Sequence, residues 1–411
     1  MLAIASGCPE SGRAGRAPGG GFLRQTGAVG EQPFALCAVQ TAPGEQRQQI
    51  DGRGHAFHGR VPFTPSRIAS PPHEMAAAIR SAAAAVDSRG ADMAGEGKRA
   101  GGGAGAGESV TLMSMIDDVI ALAAAHGPRL SAQGATVNEA GLDYRVVMAS
   151  DATGQRWVLR IPRRADVSEG MAAETRVLDL VAPVLAEDGV AVPDWQIRSP
   201  ELIGYPALPG SPGLTLTDAG EPDWHMDPAS PDYAERLGRL LARLHSITPE
   251  QAEAAGVEVR TPTQVRQAWQ DDIARVSEAF TVLPALTEAW QDWLEDDTCW
   301  PEQTVMTHGE IYPAHVLFDE KGTVTGVLDW TTARVDDPAR DLTAQYGAAG
   351  EEMLQATLTA YEQAGGHVHP GLAAQTKHLW NASPIGYALY ALTTGAETDL
   401  ATAAAMLNPQ A

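Results

Sequence analysis

The sequence predicts an α+β protein of two lobes, a small β-rich one followed by a larger helical one. Three observations predict it. Short strand-like runs crowd into residues 144–208, and helical periodicity dominates from about residue 233 onward. The two short strands that interrupt the helices, "VLFD" and "VTGVLD", are joined by the turn "EKGT". Residues 1–112 stand apart. They hold 20 of the 42 glycines, include "GRAGRAPGGG" and "GKRAGGGAGAGES", and show no sustained periodicity. Such a stretch cannot bury enough apolar surface to offset its ordering entropy. It reads as a disordered extension, or as a leader from a start assigned too far upstream, with the compact protein opening at "MSMIDDVIALAAAHG" from Met113 or Met115. The remaining 299 residues divide into a first lobe, 113–210, and a second, 211–411.

The elements follow in order. A helix is predicted near 115–126. "YRVVMAS" and "RWVLRIP" flank "DATGQ", whose Thr-Gly signals a hairpin turn. A helix at about 168–187 comes next, and "DWQIRS" and "ELIGYPAL" read as two more strands. Past "LPGSPG" the pattern turns helical, and "YAERLGRLLARLHSI" puts Leu237, Leu240, Leu241 and Leu244 on one face. Further helices are expected at 263–280, 284–297, 350–365 and 371–407.

Composition excludes several classes. Beyond residue 112 there are 18 basic and 43 acidic residues, a balance that argues against nucleic acid or an anionic membrane as partner. It suits a cationic small substrate. No segment approaches 18 uninterrupted apolar residues, so no transmembrane helix is expected. "MLAIASGC" has too short an apolar run for a signal peptide ending before Cys8. The three cysteines, Cys8, Cys37 and Cys299, leave one in the globular part, which excludes a disulfide framework there and fits a reducing cytoplasm. A monomer is expected.

The residues that carry chemistry fit phosphoryl transfer, which needs cations on the phosphates, a metal bridge and a carboxylate that orients the attacking hydroxyl. In "RWVLRIP", Val158 and Arg160 share one face while Trp157, Leu159 and Ile161 share the other. In the following helix Glu174 falls within the apolar stripe of Met171, Leu178, Val181 and Leu185, where a carboxylate is costly without a cation. Pairing Glu174 with Arg160 resolves this and aims a guanidinium at phosphates. "VMTHGEIYPAHVLFDEKGTVTGVLDW", residues 305–330, then supplies a carboxylate at Glu310, a ligand at His315 and a second carboxylate at Asp329 closing an apolar strand. The hairpin between the last two returns the chain, so both face one Mg²⁺. "NEAGLDYR", with its single glycine, is a weak candidate for a loop over phosphates.

"HGEIYPAHVLFD…GVLDWTTARVDDPARDL" resembles the aminoglycoside phosphotransferase superfamily, with its H-G-D-x-x-x-x-N and later D, and so implies a protein-kinase-like fold. Histidine at the asparagine position, then L-D-W-T and D-P-x-x-D, is similar to the macrolide 2′-phosphotransferases. "NEAGLDYRVVMASDATGQRWVLRIPRR" and "ELIGYPALPG" resemble the first lobe of that family. The resemblance runs from about residue 115 to the carboxyl end. It implies transfer of the γ-phosphate of GTP, or of ATP, to the 2′-hydroxyl of a macrolide's desosamine, which inactivates the antibiotic. By position, Glu310 takes the place of the hydroxyl-orienting aspartate, His315 and Asp329 those of the Mg²⁺ ligands, and Arg160 with Glu174 that of the phosphate-binding pair. Tyr205 and Ala207 fall in the hinge whose backbone reads a purine, and Asp341 and His245 brace the catalytic loop.

Two departures bear on activity. Arg160 stands where kinases generally carry lysine. Glu310 adds a methylene where the family carries aspartate, a displacement of roughly 1 Å that can cost about 10²-fold when nothing adjusts. Tyr312, where the family commonly shows histidine, suggests that the loop has adjusted. The favoured reading is an active kinase of macrolides. The alternatives are a kinase of an aminoglycoside or amino alcohol, and a nucleotide-binding pseudokinase that transfers nothing.

Overall fold

The computed structural model describes residues 104–138, 143–216 and 222–409. The expected extension therefore lies almost wholly outside the described residues. Helix α1 (Ala104–Ala125) begins upstream of Met113, so the boundary expected at 112/113 falls inside a helix. Once nucleated, a helix gains one bond for each further residue, and alanine and glutamate extend it readily.

The first lobe is a five-stranded antiparallel sheet built from β1 (Leu130–Asn138), β2 (Tyr144–Asp151), β3 (Arg156–Pro162), β4 (Ile197–Ser199) and β5 (Leu202–Pro206), in the order β1-β2-β3-β5-β4. Strand β1 was not expected; its sequence "LSAQGATVN" is polar and mostly exposed, without the alternation that marks a half-buried strand. It makes "NEAGLDYR" the connection between β1 and β2. Residues 139–142 of that loop, its single glycine included, lie outside the described residues. The sheet has two apolar faces. Val147, Leu159, Ile197 and Leu202 pack under Val119 and Ala123 of α1. Tyr144, Ile203 and Tyr205 line the other face with Met171, Val177, Leu178 and Val181 of α2 (Ala165–Ala186).

Two short pairings lead onward: β6 (Ser211–Pro212) joins the later hairpin, and β7 (Leu214–Leu216) pairs β8 (Pro222–Trp224). The second lobe then opens with α3 (Pro231–His245), α4 (Pro249–Ala254), α5 (Pro262–Ala279) and α6 (Pro284–Glu295). Thr248 and Thr261 close capping boxes with Gln251 and Gln264 at the starts of α4 and α5. The strands β9 (Val305–Thr307), β10 (Val316–Phe318), β11 (Val324–Val327) and β12 (Arg334–Asp336) pair as β12-β9 and β11-β10-β6. A 3₁₀ turn, Pro338–Leu342, leads into α7 (Thr343–Gln363), α8 (Leu372–Asn381), α9 (Ser383–Thr394) and α10 (Glu397–Leu407). Helix α3 crosses α7 closely at Gly238, where a Cβ would meet the Thr357 carbonyl at 2.6 Å.

Two helical expectations are corrected. The helix expected at 371–407 is three helices. Pro384 lacks the N–H and the room to continue α8, and Gly395 ends α9 in the left-handed conformation. The helix expected at 350–365 starts earlier and breaks at Gly350, whose φ of 75° and ψ of −169° suit glycine alone. Among the described residues no helix is long and apolar enough to cross a membrane.

Candidate active site

The site lies where β3 and α2 of the first lobe meet the loop between β9 and β10 and the end of β11. Arg160 projects from β3 on the face shared with Val158, and Glu174 comes from the buried stripe of α2; both are buried. Arg160 Nη1 donates to Glu174 Oε1 at 3.2 Å. The other oxygen, Oε2, has no hydrogen bond of ordinary geometry, its neighbour being the Trp330 backbone. Burial raises the Glu174 carboxyl above its ordinary value, and Arg160 pulls against that rise. Burial opposes the charge on Arg160 in turn, but Glu174 and then Asp329 hold the guanidinium cationic.

The catalytic loop is fixed chiefly through its backbone. Asp341, fully buried, accepts from the His308 amide at 2.9 Å and the Gly309 amide at 2.6 Å, and its Oδ2 meets His245 Nε2 at 3.0 Å. Gly309 takes φ 88°, and a Cβ there would sit 2.8 Å from the Thr332 carbonyl, so only glycine serves. The His308 carbonyl accepts from Thr332 Oγ1 at 2.9 Å. Its ring donates from Nε2 to the Leu328 carbonyl at 2.9 Å and accepts the Glu310 amide at Nδ1 at 3.3 Å. Both nitrogens are thus committed in the neutral tautomer, and burial, then the neighbouring His315, lowers its pKa to about 4.

His315 and Asp329 come together. His315 donates from Nδ1 to the Glu310 carbonyl at 2.9 Å, which leaves the lone pair of Nε2 directed toward Asp329 Oδ2, 3.8 Å away. Tyr312 packs against the same imidazole, ring centroids 4.4 Å apart. Asp329 has φ 60°, the one positive value at a non-glycine among the described residues, and its Oδ1 accepts from Thr331 Oγ1 at 2.7 Å. Burial works to raise its carboxyl, but His315 when it carries a proton on Nε2, then Arg160 and the Thr331 hydroxyl bring it down to about 2. Two electron-pair donors facing one another suit a cation between them. No group of three or more His, Cys, Asp or Glu able to hold a metal occurs among the described residues. Asp329 suits a hard cation such as Mg²⁺, which takes one or two protein carboxylates and completes its shell with water and phosphate oxygens; His315 beside it would be an unusual nitrogen ligand for that ion.

Glu310 differs in kind. Burial raises its carboxyl well above the ordinary value, and Asp329 and Asp143 add to the rise. Its side chain lines a cleft whose other walls include Trp269, Leu379, Ala382 and Gly386, with Thr332, Thr343, Ser383 and Arg340 among the polar lining. Of the large side chains on the carboxyl-terminal helices, Met353 and Leu354 are core, and Tyr387 and Tyr390 pack on each other at 6.1 Å. Trp380 packs against Gly347. Trp269 and Arg340 were missed because their segments meet only in the fold.

The two hinge candidates lie in the β3–β5 ladder and its continuation. The Tyr205 side chain is buried beside Arg160, and burial raises its hydroxyl to about 12. The Ala207 amide donates to the Arg156 carbonyl at 2.8 Å, extending the β3–β5 ladder. Because backbone groups of an antiparallel strand alternate in direction, Pro206 turns its carbonyl to the opposite edge, past the Ile197–Gly204 pair where β4 ends.

Comparison with known proteins agrees with this arrangement. Residues 134–374 match the model of the phosphotransferase enzyme family. The solved structure of macrolide 2′-phosphotransferase MphH from Brachybacterium faecium, an apoenzyme, is 49% identical with a TM-score of 0.67, covering 72% of this chain and 98% of its own. A macrolide 2′-phosphotransferase type I structure is 43% identical with a TM-score of 0.65, covering 71% and 96%. The protein YcbJ of Bacillus subtilis (strain 168) is 38% identical over 290 residues, 70% of this chain and 94% of its own length. The two lobes accordingly form a kinase-like α+β fold.

Proposed function

The chain belongs to the phosphotransferase enzyme family, and we propose that it phosphorylates the 2′-hydroxyl of the amino sugar of macrolide antibiotics, with GTP as donor and ATP as the alternative. One observation carries the choice of acceptor: the cleft at Glu310 is walled by Trp269, Leu379, Ala382 and Gly386 and has Glu310 as the one carboxylate among its lining residues. A large, mostly apolar molecule with one amine suits such walls. A polycationic aminoglycoside would leave most of its charges without partners there. The 49% and 43% identity to two macrolide 2′-phosphotransferases supports the same reading.

In this reading the acceptor hydroxyl lies against Glu310 and attacks the γ-phosphorus as the bond to the β,γ-bridging oxygen breaks. Its proton passes to the Glu310 carboxylate, and the nucleoside diphosphate departs. The transition state is loose, so Glu310 acts chiefly by orienting the hydroxyl, a role that tolerates glutamate in a loop whose backbone is braced by Asp341. Arg160, paired with Glu174, grips the donor phosphates. His315 and Asp329 would hold Mg²⁺, which when bound neutralises charge on the phosphates. The purine edge is assigned to the end of β5, with the Pro206 carbonyl as its acceptor in place of the committed Ala207 amide.

The test is acceptor selectivity. With Mg²⁺ and either nucleotide, the purified full chain should turn over erythromycin with a kcat/KM at least about 10²-fold above that for kanamycin, the scale set by leaving buried polar groups unpaired. Equal or inverted selectivity would transfer the assignment to an aminoglycoside kinase. Nucleotide binding with no transfer to either drug class would favour the pseudokinase.

A further inference from the structure

Arg160 makes a second contact that the phosphate-binding pair does not require. Its guanidinium carbon lies 3.9 Å from the centroid of the Tyr144 ring. Tyr144 opens β2 and pairs with Pro162, while Arg160 pairs with Val146. Tyr144 and Arg160 are thus diagonal neighbours on one face of the sheet, within reach of an aromatic side chain. Both are buried, as are Glu174 and Tyr205. The cation is boxed on three sides: the ring of Tyr144 against one flat face, Glu174 on Nη1, and the Tyr205 hydroxyl beside it.

This arrangement gives a reason for arginine where the kinase-like fold generally carries lysine. A guanidinium is flat, presents a face to a π system, and keeps N–H donors in its own plane for an anion. An ammonium has no such face. A long side chain stacked on a ring also loses less freedom when it grips a phosphate, because the ring has already fixed it.

We propose that Tyr144 is a positioning residue for nucleotide binding, holding the plane of Arg160 in the orientation in which it meets the donor phosphates, and that Tyr144 and Arg160 function as one unit. The proposal rests on the phosphotransfer reading above, but its readout is nucleotide affinity, which needs no acceptor. It therefore stands or falls separately from the choice of macrolide.

The experiment is a double-mutant cycle on the full chain, with affinity for Mg·GTP and Mg·ATP measured by calorimetry and folding checked by thermal melting. Tyr144→Phe keeps the ring and should bind as the wild type does. Tyr144→Leu should weaken nucleotide binding about tenfold, the scale of a desolvated cation–π contact, while macrolide affinity is unchanged. Arg160→Lys should weaken binding strongly in the wild-type background and about tenfold less in the Tyr144→Leu background, because without the ring the advantage of a held guanidinium plane is already lost. If Tyr144→Leu fails to fold, Tyr144→Met gives the same comparison, an apolar side chain of similar reach without a π face. Tyr144→Leu binding like the wild type, or losses that simply multiply, would overturn the proposal. A wild-type chain that binds neither nucleotide would overturn the phosphotransfer reading and this proposal with it.

Discussion

The two halves of the site are held by different means. On the first lobe, Arg160 is fixed by side chains, the carboxylate of Glu174 at 3.2 Å and the ring of Tyr144 at 3.9 Å, on a rigid sheet. On the second lobe, the loop from His308 to Glu310 is fixed through its backbone, by amides donating to Asp341 and His308 and a carbonyl accepting from Thr332. The difference shows where the chain can change. A backbone-held loop accepts a new side chain at its tip, which is how glutamate stands at 310. A cation held by side chains depends on each of them, and the change from lysine to arginine comes with a ring to stack on.

Removing the brace should have the largest effect. Asp341→Ala takes away the acceptor for two loop amides and His245 at once, in a fully buried place. Stability should fall by about 3–5 kcal/mol, the cost of breaking a buried charged network, and transfer should be lost. Urea denaturation followed by tryptophan fluorescence checks the first, and a variant within about 1 kcal/mol of wild type would break the comparison.

Glu310→Asp sharpens it. The proposed role of Glu310 implies a loop set for the longer side chain. The variant should lose about 10²-fold in kcat with little change in KM, as a misplacement of about 1 Å does. Steady-state kinetics at saturating nucleotide decide it; a variant faster than the wild type would show that the loop had not adjusted.

Glu174→Gln tests the side-chain-held half. It keeps a hydrogen-bond acceptor but removes the charge opposite Arg160, so the Kd for Mg·nucleotide should rise about tenfold, and the melting temperature should fall as well because the buried guanidinium loses its counter-charge. A loss of stability without loss of affinity would make the pair structural only.

The smallest effect concerns pH. Asp337 caps the 3₁₀ turn that carries Asp341; its carboxyl accepts from the Ala339 amide and, at 2.7 Å, from Gln375 Nε2. Burial raises its pKa from 3.8 to about 7, against the pull of Gln375 and the Ala339 amide. The folded protein thus binds this proton more tightly than the unfolded chain, so the stability it gives is full below pH 3.8 and is lost as pH rises through about 7. Asp337→Asn should flatten the fall in stability between pH 5 and 8 by about 1 kcal/mol or more, read as a slope in denaturation curves at both pH values. An unchanged slope would mean that Asp337 titrates like an exposed carboxylate.

Much of the second half of the site was legible in the sequence because it is nearly contiguous. His308, Glu310, His315 and Asp329 lie close in sequence, and the β10–β11 hairpin brings His315 and Asp329 to 3.8 Å. Arg160 and Glu174 were legible for another reason: period 2 in β3 and the apolar stripe of α2 each put a charge on a buried face, and two such charges need one another. The ring of Tyr144 was not legible, since its contact depends on the register of β2 against β3. The hydrogen bond of the Ala207 amide to Arg156 was not legible, because which strand edge a backbone group faces follows from pairing, not residue type. Strand β1 is too polar to announce itself, and β9 and β12 are three residues each, too short for any period. The cleft walls meet from α5, the catalytic loop, α8 and α9, segments far apart in the chain.

The most direct measurement of the central claim is mass spectrometry of erythromycin after incubation with the purified full chain, Mg²⁺ and GTP or ATP, with Glu310→Ala in parallel. One added phosphate on the amino sugar that depends on nucleotide and disappears in the variant is the expected result. An unmodified drug beside measurable nucleotide binding, or a product that persists in Glu310→Ala, would contradict it.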